Sequence, residues 1–590
     1  MRRSLGGLFL TLAAGTMACG SSPGGTTRAT DAATDEGARD SAIPPHDARN
    51  VADARNSTDA GPGDTRGSTD GARPTDASAP IDANVDPCTL ATEANTTVGC
   101  DFYAVDPDVV AGAQGGCFAA YLANPSSSPV TIQIEGQGKS YDAANFSYLA
   151  SGDGNAITYA PLESGEIPPE KAAVVFLAGA PDAPLGACPP GVSVAYAMDG
   201  SVAGTGIGSA FHLTTSAPVA AYDIYPYGGG SAAVTGATLL IPTAAWDTTY
   251  LAIDAYRQSV AAASANAQPS MDVVAAEDGT EVTITPTVAI ISGPGVAGTA
   301  AGTPRTYDLD KGQVLQISQP NELVGSTISS NKPVGHWAGA SCLNVPVGAA
   351  ACDAAHQQIP PLKALGHEYV AVRYRDRFAG MEESVPWRLV GAVDGSTLTY
   401  DPSAPAGAPL SLNAGQVVEF NSTGLFSVAS QDAAHPFYMA AYMTGCSVVD
   451  PAEDDCRGDP EFVNVIPPQQ FLSAYTFFTD PTFPETNLVF VRSKDATGFH
   501  DVTLDCAGTL GGWTPVGAGG NYEYARVDLM TGNFQGQNGC DNGIHEVHSS
   551  GPFGLTVWGW GSAATGTFAS QAVSYAYPAG AGVAPINEVP

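Results

Sequence analysis

An all-β body of about four tandem sandwich-like repeats, carried behind a disordered tether, is the architecture this sequence predicts. Three observations lead there. Short runs rich in β-branched residues recur along the chain, and no stretch holds helical periodicity beyond a turn or two. Glycine (68) and proline (45) are abundant while charged residues make up only 14% of the 590, a turn-rich composition foreign to coiled coils and helical solenoids. Two independent residue marks also return at intervals too regular for chance.

The chain opens with Arg2 and Arg3, an apolar run from Leu5 to Ala14, and small residues before Cys19, the pattern of a secretory signal peptide over 1–19. Thr16-Met17-Ala18-Cys19 resembles the lipobox of bacterial lipoproteins, although leucine is usual where Thr16 stands. That resemblance implies a diacylated Cys19 and, with Gly20 following, an outer-membrane or cell-surface address. Two acyl chains anchor stably where one is marginal. Residues 20–86 hold little beyond Ala, Asp, Gly, Thr, Ser, Arg and Pro, with 12 acids, 6 arginines and no aromatic residue. Such a segment cannot offset its ordering entropy, so it reads as a disordered spacer with a reach of roughly 45 Å.

The β body is expected over 87–580, with repeats at about 97–248, 249–366, 367–473 and 474–580 and a tail over 581–590. One mark is Ile241-Pro242, Ile359-Pro360-Pro361 and Ile466-Pro467-Pro468, each followed nine or ten residues later by a tyrosine opening a strand: Tyr250, Tyr369 and Tyr475. Tyr103 is expected to open the first copy likewise. The other mark is a proline before an aromatic-rich strand, Pro218, Pro333, Pro436 and Pro552, spaced 115, 103 and 116 residues apart. Val282-Thr283-Ile284-Thr285, Thr397-Leu398-Thr399-Tyr400 and Val502-Thr503-Leu504 are typical strands, and Asp278-Gly279 and Asp394-Gly395 suit tight hairpin turns. About seven strands per unit fit a β-sandwich. The alternative is one large β-propeller whose blades divide the same strands.

Besides Cys19 there are ten cysteines, an even number in an exported chain, so disulfides are expected. Cys342–Cys352 and Cys446–Cys456 share a spacing of ten at corresponding places of the repeat; Cys88–Cys100, Cys117–Cys188 and Cys506–Cys540 follow by proximity. The formal charge of −36 repels phosphate backbones and argues against nucleic acid as a partner.

Chemistry-bearing motifs are sparse. Gly339-Ala340-Ser341 is followed by Leu343 where a hydrolase elbow needs glycine, and no His-Glu-x-x-His occurs. His545 and His548 sit three apart, which on a strand sends them to opposite faces. The chain therefore reads as no enzyme and as requiring no cofactor. Calcium is a secondary possibility at Asp450, Glu453, Asp454, Asp455 and Asp459 around Cys456, because a hard cation wants several oxygen ligands. Asp101, Asp106 and Asp108 form a weaker acidic group. Tyr222, Tyr225, Trp337, Tyr442, Trp558 and Trp560 follow the proline mark and are the candidates for ligand contact, since Tyr and Trp give large contact at low entropic cost. Core packing is the competing account of the same six.

The run Gly325-Ser326-Thr327-Ile328-Ser329-Ser330-Asn331-Lys332-Pro333-Val334, then Cys342-Leu343-Asn344-Val345-Pro346, Ala351-Cys352-Asp353 and Gln358-Ile359-Pro360-Pro361, resembles the IgGFc-binding protein N-terminal domain. Gly99-Cys100-Asp101-Phe102-Tyr103-Ala104-Val105-Asp106 is similar to its opening. The resemblance spans roughly 97–480, more loosely to 580. It implies an extracellular binding or adhesive module of the kind found in bacterial surface lipoproteins. The expected function is a lipid-anchored envelope protein whose body binds an extracellular glycan or glycoprotein, tandem copies gaining through effective concentration. A structural envelope scaffold without a dissociable ligand is the alternative, and a glycan-cleaving enzyme a more distant one.

Overall fold

The computed structural model describes residues 86–229, 232–261, 267–449, 456–566 and 568–589. Cys19 and the tether up to residue 85 lie outside them, as do Asp450, Glu453, Asp454 and Asp455. The longest helix among the described residues is Pro87–Ala94, started by the Asp86 carboxylate accepting the Cys88 N–H and ended at the left-handed Asn95. None of the described helices is long and apolar enough to cross a membrane. Apart from two four-residue helices, Cys446–Val449 and Phe568–Gln571, and single 3-10 turns, the described residues form antiparallel strands and the loops between them.

The second unit displays the plan. Its 17-residue strand Thr327–Leu343 belongs to two sheets in succession. Through Ser330 it pairs with Asp247–Leu251 and Thr280–Thr285; beyond Pro333 it pairs with Pro269–Ala275 and Asp353–Ile359. Arg305–Leu309 extends the first sheet and Gln313–Ser318 the second, making seven strands around a core that includes Met271, Val273, Ile284, Leu315 and Ile328. The first half of the long strand alternates buried and exposed, while the second half is buried at every position. A strand buried throughout has apolar company on both faces.

The other units repeat this. In the first, Phe211–Tyr225 pairs early with Val98–Ala104 and Val130–Gly136, late with Phe118–Ala123 and Gly236–Leu239. In the fourth, Gly543–Trp560 pairs early with Leu472–Thr479 and Val502–Leu504, late with Glu485–Ser493 and Ser574–Pro578. In the third the long strand is broken into Phe426–Ala429 and Phe437–Met443, which keep the corresponding partners.

Both residue marks now have a physical reason. In units one, two and four the pairing register slips just where Pro218, Pro333 and Pro552 stand, a bulge at which the strand changes sheets. Proline has no N–H to lose from a ladder, so it suits that point. The tyrosines clamp the same bulge. Tyr250 Oη donates to Val334 O (2.7 Å) and accepts from Asp247 N; Tyr369 Oη donates to Phe437 O (2.6 Å) and accepts from Gly366 N; Tyr475 Oη donates to Phe553 O and accepts from Leu472 N. Each carbonyl belongs to the residue after the proline. The first unit departs from the expectation: Phe102, not Tyr103, pairs with Leu213 at the clamp position, and it has no hydroxyl. Tyr103 is one residue out of register, so its ring lies on the opposite face.

Five disulfides join Cys88–Cys100, Cys117–Cys188, Cys342–Cys352, Cys446–Cys456 and Cys506–Cys540, with Cα separations of 4.7–5.7 Å. Cys342–Cys352 and Cys446–Cys456 staple the turn between the long strand and the last strand of their units.

Those last strands, Gly236–Leu239 (β1), Asp353–Ile359 (β2), Glu461–Asn464 (β3) and Ser574–Pro578 (β4), pack against one another in turn, β1 on β2, β2 on β3, β3 on β4 and β4 on β1. The four sandwiches thus close on themselves around their inner strands, instead of forming propeller blades. Gln357 Nε2 donates to Ala237 O and Ala576 O, Asn464 Nδ2 to Gln358 O, and Asp459 N to Ser574 Oγ. The Asp353 carboxylate accepts from Thr235 N and Ser574 N. Burial first, then the nearby Asp459 and Glu461, holds the Asp353 carboxyl well above the usual range; burial does the same to Glu461. The Ile-Pro marks converge here too: Ile241, Pro360, Ile466 and Pro467, with Pro578 of the fourth unit, line one small cavity at the end of the inner strands. The tail over 581–590 is ordered across its described part. Thr97 N donates to Ala581 O (2.9 Å), Val583 N to Asn95 O (2.7 Å), and Asn587 Nδ2 to Leu362 O and Leu365 O.

Candidate binding groove

The six aromatic candidates for ligand contact are core residues. Tyr222, Tyr225, Trp337, Tyr442, Trp558 and Trp560 are all essentially inaccessible. Tyr222 stacks on Tyr577 and donates to Ala579 O (2.5 Å), joining units one and four. Trp337 meets Trp246 edge to face; Tyr442 donates to Ala255 O (2.5 Å) and faces Tyr256 across the second and third units. Trp558 and Trp560 pack on Tyr374, and the Arg375 guanidinium lies over Trp560 at 4.8 Å. Tyr225 donates to Ala113 O (2.5 Å) inside the first unit. They sit on the doubly buried halves of the long strands, so packing within and between units accounts for them.

Of the acidic candidates for calcium, only Asp459 lies among the described residues. It is fully buried and accepts the Cys446 N–H (3.3 Å), so it belongs to the packing of the inner strands. Asp106 and Asp108 are also buried, and burial raises both carboxyls, that of Asp108 to about 6. A further group, Asp505, Cys506 and His545, has metal-like proximity. Its sulfur is committed to the Cys506–Cys540 disulfide, and the His545 nitrogens are paired with Asp505 Oδ1 (3.0 Å) and Asp541 O (2.8 Å). His545 points inward and His548 outward, as their spacing on a strand requires.

What remains open is a groove of about 830 Å³ between the first and second units, continuous through shared walls with a recess of about 310 Å³. Its central wall is a row of residues from three adjacent strands. His212 lies directly across from Tyr103 on one side and from Glu135 on the other, all on the solvent-side face of the sheet. The Tyr103 ring stacks on the imidazole at 4.5 Å with an interplanar angle of 13°. His212 Nε2 meets Asp101 Oδ1 at 3.1 Å and Nδ1 meets Glu135 Oε2 at 3.2 Å. Both ring nitrogens are therefore occupied. Lys311 Nζ stands 3.7 Å from Glu135, and across the groove Lys332 Nζ stands 3.7 Å from Glu277. Hydrogen bonding from His212, then the Lys311 charge, lowers the Glu135 carboxyl. Burial, reinforced by Asp101 and Glu135, raises the Tyr103 phenol, which stays protonated. That hydroxyl is buried and has no hydrogen-bond partner.

The sequence marked Tyr103 as a repeat landmark and passed over His212, Glu135 and Lys311. The available signal was alternation: in Phe211-His212-Leu213-Thr214 the apolar residues go inward, leaving His212 outward. A second groove, of about 950 Å³, separates units two and three. Its arginines are already matched, Arg388 to Glu322 (2.6 Å) and Arg257 to Glu419 (2.7 Å).

A family model described as IgGFc binding protein matches residues 236–559, more than half of the chain. No curated protein and no solved structure matches it.

Proposed function

This chain belongs to the IgGFc binding protein family, and from that premise we propose that its β body is an extracellular binding module for a glycoprotein or its glycans, tethered by a lipidated Cys19 to the outer membrane of a bacterium. Binding without turnover is the mode of action. The observation that carries this reading is the Tyr103 hydroxyl, a buried donor without an acceptor on the wall of an open groove. Leaving such a donor unpaired costs about 1–3 kcal/mol. A hydroxyl or carbonyl of a bound ligand would supply the acceptor once the Tyr103 ring turns outward into the groove. Beside it, His212 held between two carboxylates and the lysines Lys311 and Lys332 offer the mixed polar lining that a carbohydrate-bearing surface requires.

The test is retention of the purified full-length chain on immobilised mucin and on a glycan array. Saturable binding that weakens about fivefold in Tyr103→Phe, the loss of one hydrogen bond of about 1 kcal/mol, is the expected result. Absence of retention on every surface, or identical retention by the variant, refutes it; release of free sugar would point to an enzyme. In a bacterial host Cys19→Ala is expected to move the protein from the membrane to the soluble fraction, and unchanged partition would overturn the anchor.

A further inference from the structure

Between the first and fourth units lies a cavity of about 220 Å³ unlike either groove. Tyr159, Tyr227, Phe534, Pro189 and Pro190 make its walls, and Thr482 and Thr565 contribute hydroxyls. None of the described lining residues carries a charge at neutral pH. The Tyr159 and Tyr227 hydroxyls lie 3.1 Å apart, so one donates to the other and the second keeps its proton to give. Thr482 borders the cavity with its hydroxyl committed to the Asp480 carboxylate.

Phe534 is held there at a cost. Its φ is +62°, and that of Asn533 before it is +66°. An aromatic residue in the left-handed region is a strained backbone outlier, which persists where the surroundings enforce it. The turn directs the Phe534 ring over Gly154, where an added Cβ would fall 3.0 Å from the ring. An aromatic ring is thus carried into a space bounded by two tyrosines.

We propose that this cavity is a binding site for a single neutral pyranose, as a terminal or branch sugar of a glycan; the proposal deepens the binding-module reading and rests on it. The C–H faces of a pyranose are apolar and suit aromatic and prolyl walls, while its ring hydroxyls need uncharged partners, which the Tyr159 and Tyr227 hydroxyls provide. The volume falls below the roughly 300–1,000 Å³ of drug-sized sites, which limits the occupant to one ring. A proline-rich peptide also favours aromatic walls, but it docks along an extended groove several residues long.

The experiment is saturation-transfer NMR on the full-length chain with a panel of methyl glycosides of glucose, galactose, mannose, fucose, N-acetylglucosamine and N-acetylgalactosamine, and a polyproline peptide alongside. Transfer to at least one glycoside is expected. Phe534→Gly should weaken that binding at least tenfold while leaving the thermal midpoint unchanged or raised, because glycine relieves the left-handed strain. Tyr159→Phe keeps the ring, removes one hydroxyl of the tyrosine pair and should weaken it severalfold. No transfer from any glycoside, transfer unaltered in both variants, or transfer from the peptide alone overturns the proposal. Mucin retention that persists in Phe534→Gly without glycoside transfer leaves the wider reading standing and removes this cavity from it.

Discussion

Replacing a clamp tyrosine by phenylalanine isolates the device that lets one strand serve two sheets. Tyr369→Phe keeps the ring, which packs on Phe437 at 4.9 Å, and removes the hydroxyl that accepts from Gly366 N (3.0 Å) and donates to Phe437 O (2.6 Å). The site is buried, so water cannot replace the lost group. Two backbone groups lose a hydrogen bond for the removal of one oxygen. The expected cost is about 1–3 kcal/mol. Tyr250→Phe and Tyr475→Phe break the same pair of bonds and should cost alike. Tyr103→Phe is the internal control: its hydroxyl has no partner, so its removal should leave stability unchanged or raise it, even though it weakens ligand binding. The assay is equilibrium unfolding in guanidinium with disulfides intact, followed by tryptophan fluorescence. A Tyr103→Phe variant as destabilised as the other three would show that the register argument is wrong. Clamp variants costing under about 0.5 kcal/mol would show that the hydroxyls do not hold the bulge.

Two further outcomes follow from the interior. His336 accepts from Ile253 N (3.1 Å) and donates to Asp272 O (3.0 Å), and burial lowers its folded pKa from 6.5 to about 4. The unfolded chain therefore binds the proton first, and this group's contribution to stability is lost as pH falls from about 6.5 towards 4, by about 3 kcal/mol in all. The stability advantage of the wild type over His336→Gln should shrink across that window; a constant difference would refute it. Deleting 581–590 removes the bonds to Thr97, Asn95, Leu362 and Leu365, so thermal stability should fall and proteolysis near Asn95–Val98 should quicken, whereas an unchanged cleavage pattern would mean that the tail does not secure the closure.

The contrast between what the sequence revealed and what it hid follows the range of the forces involved. The proline and tyrosine marks were legible because each answers a local need: a bulge needs a residue without an N–H, and the carbonyl beside it needs a donor. The tyrosine donates to the carbonyl of the residue that follows the proline, which is why the two marks recur together. Tyr103 shows the limit of that reading, since a shift of one residue along a strand exchanges core for surface and sequence spacing alone does not fix the register. The aromatic candidates fall to core packing for a related reason. Phe437-Tyr438-Met439-Ala440-Ala441-Tyr442-Met443 does not alternate, and all seven residues are buried. An exposed binding strand would keep one polar face, so unbroken apolarity already signalled a strand with a neighbour on each side. What no local pattern could give is the identity of that neighbour. The second face is covered by another unit about a hundred residues away in the chain, through the closure of β1 to β4 and the tail that crosses it. Binding surface is then left to the seams, where two units meet without filling the space. Tyr103 and Phe534 are the side chains whose unpaired hydroxyl and strained backbone make them costly to keep there for packing alone.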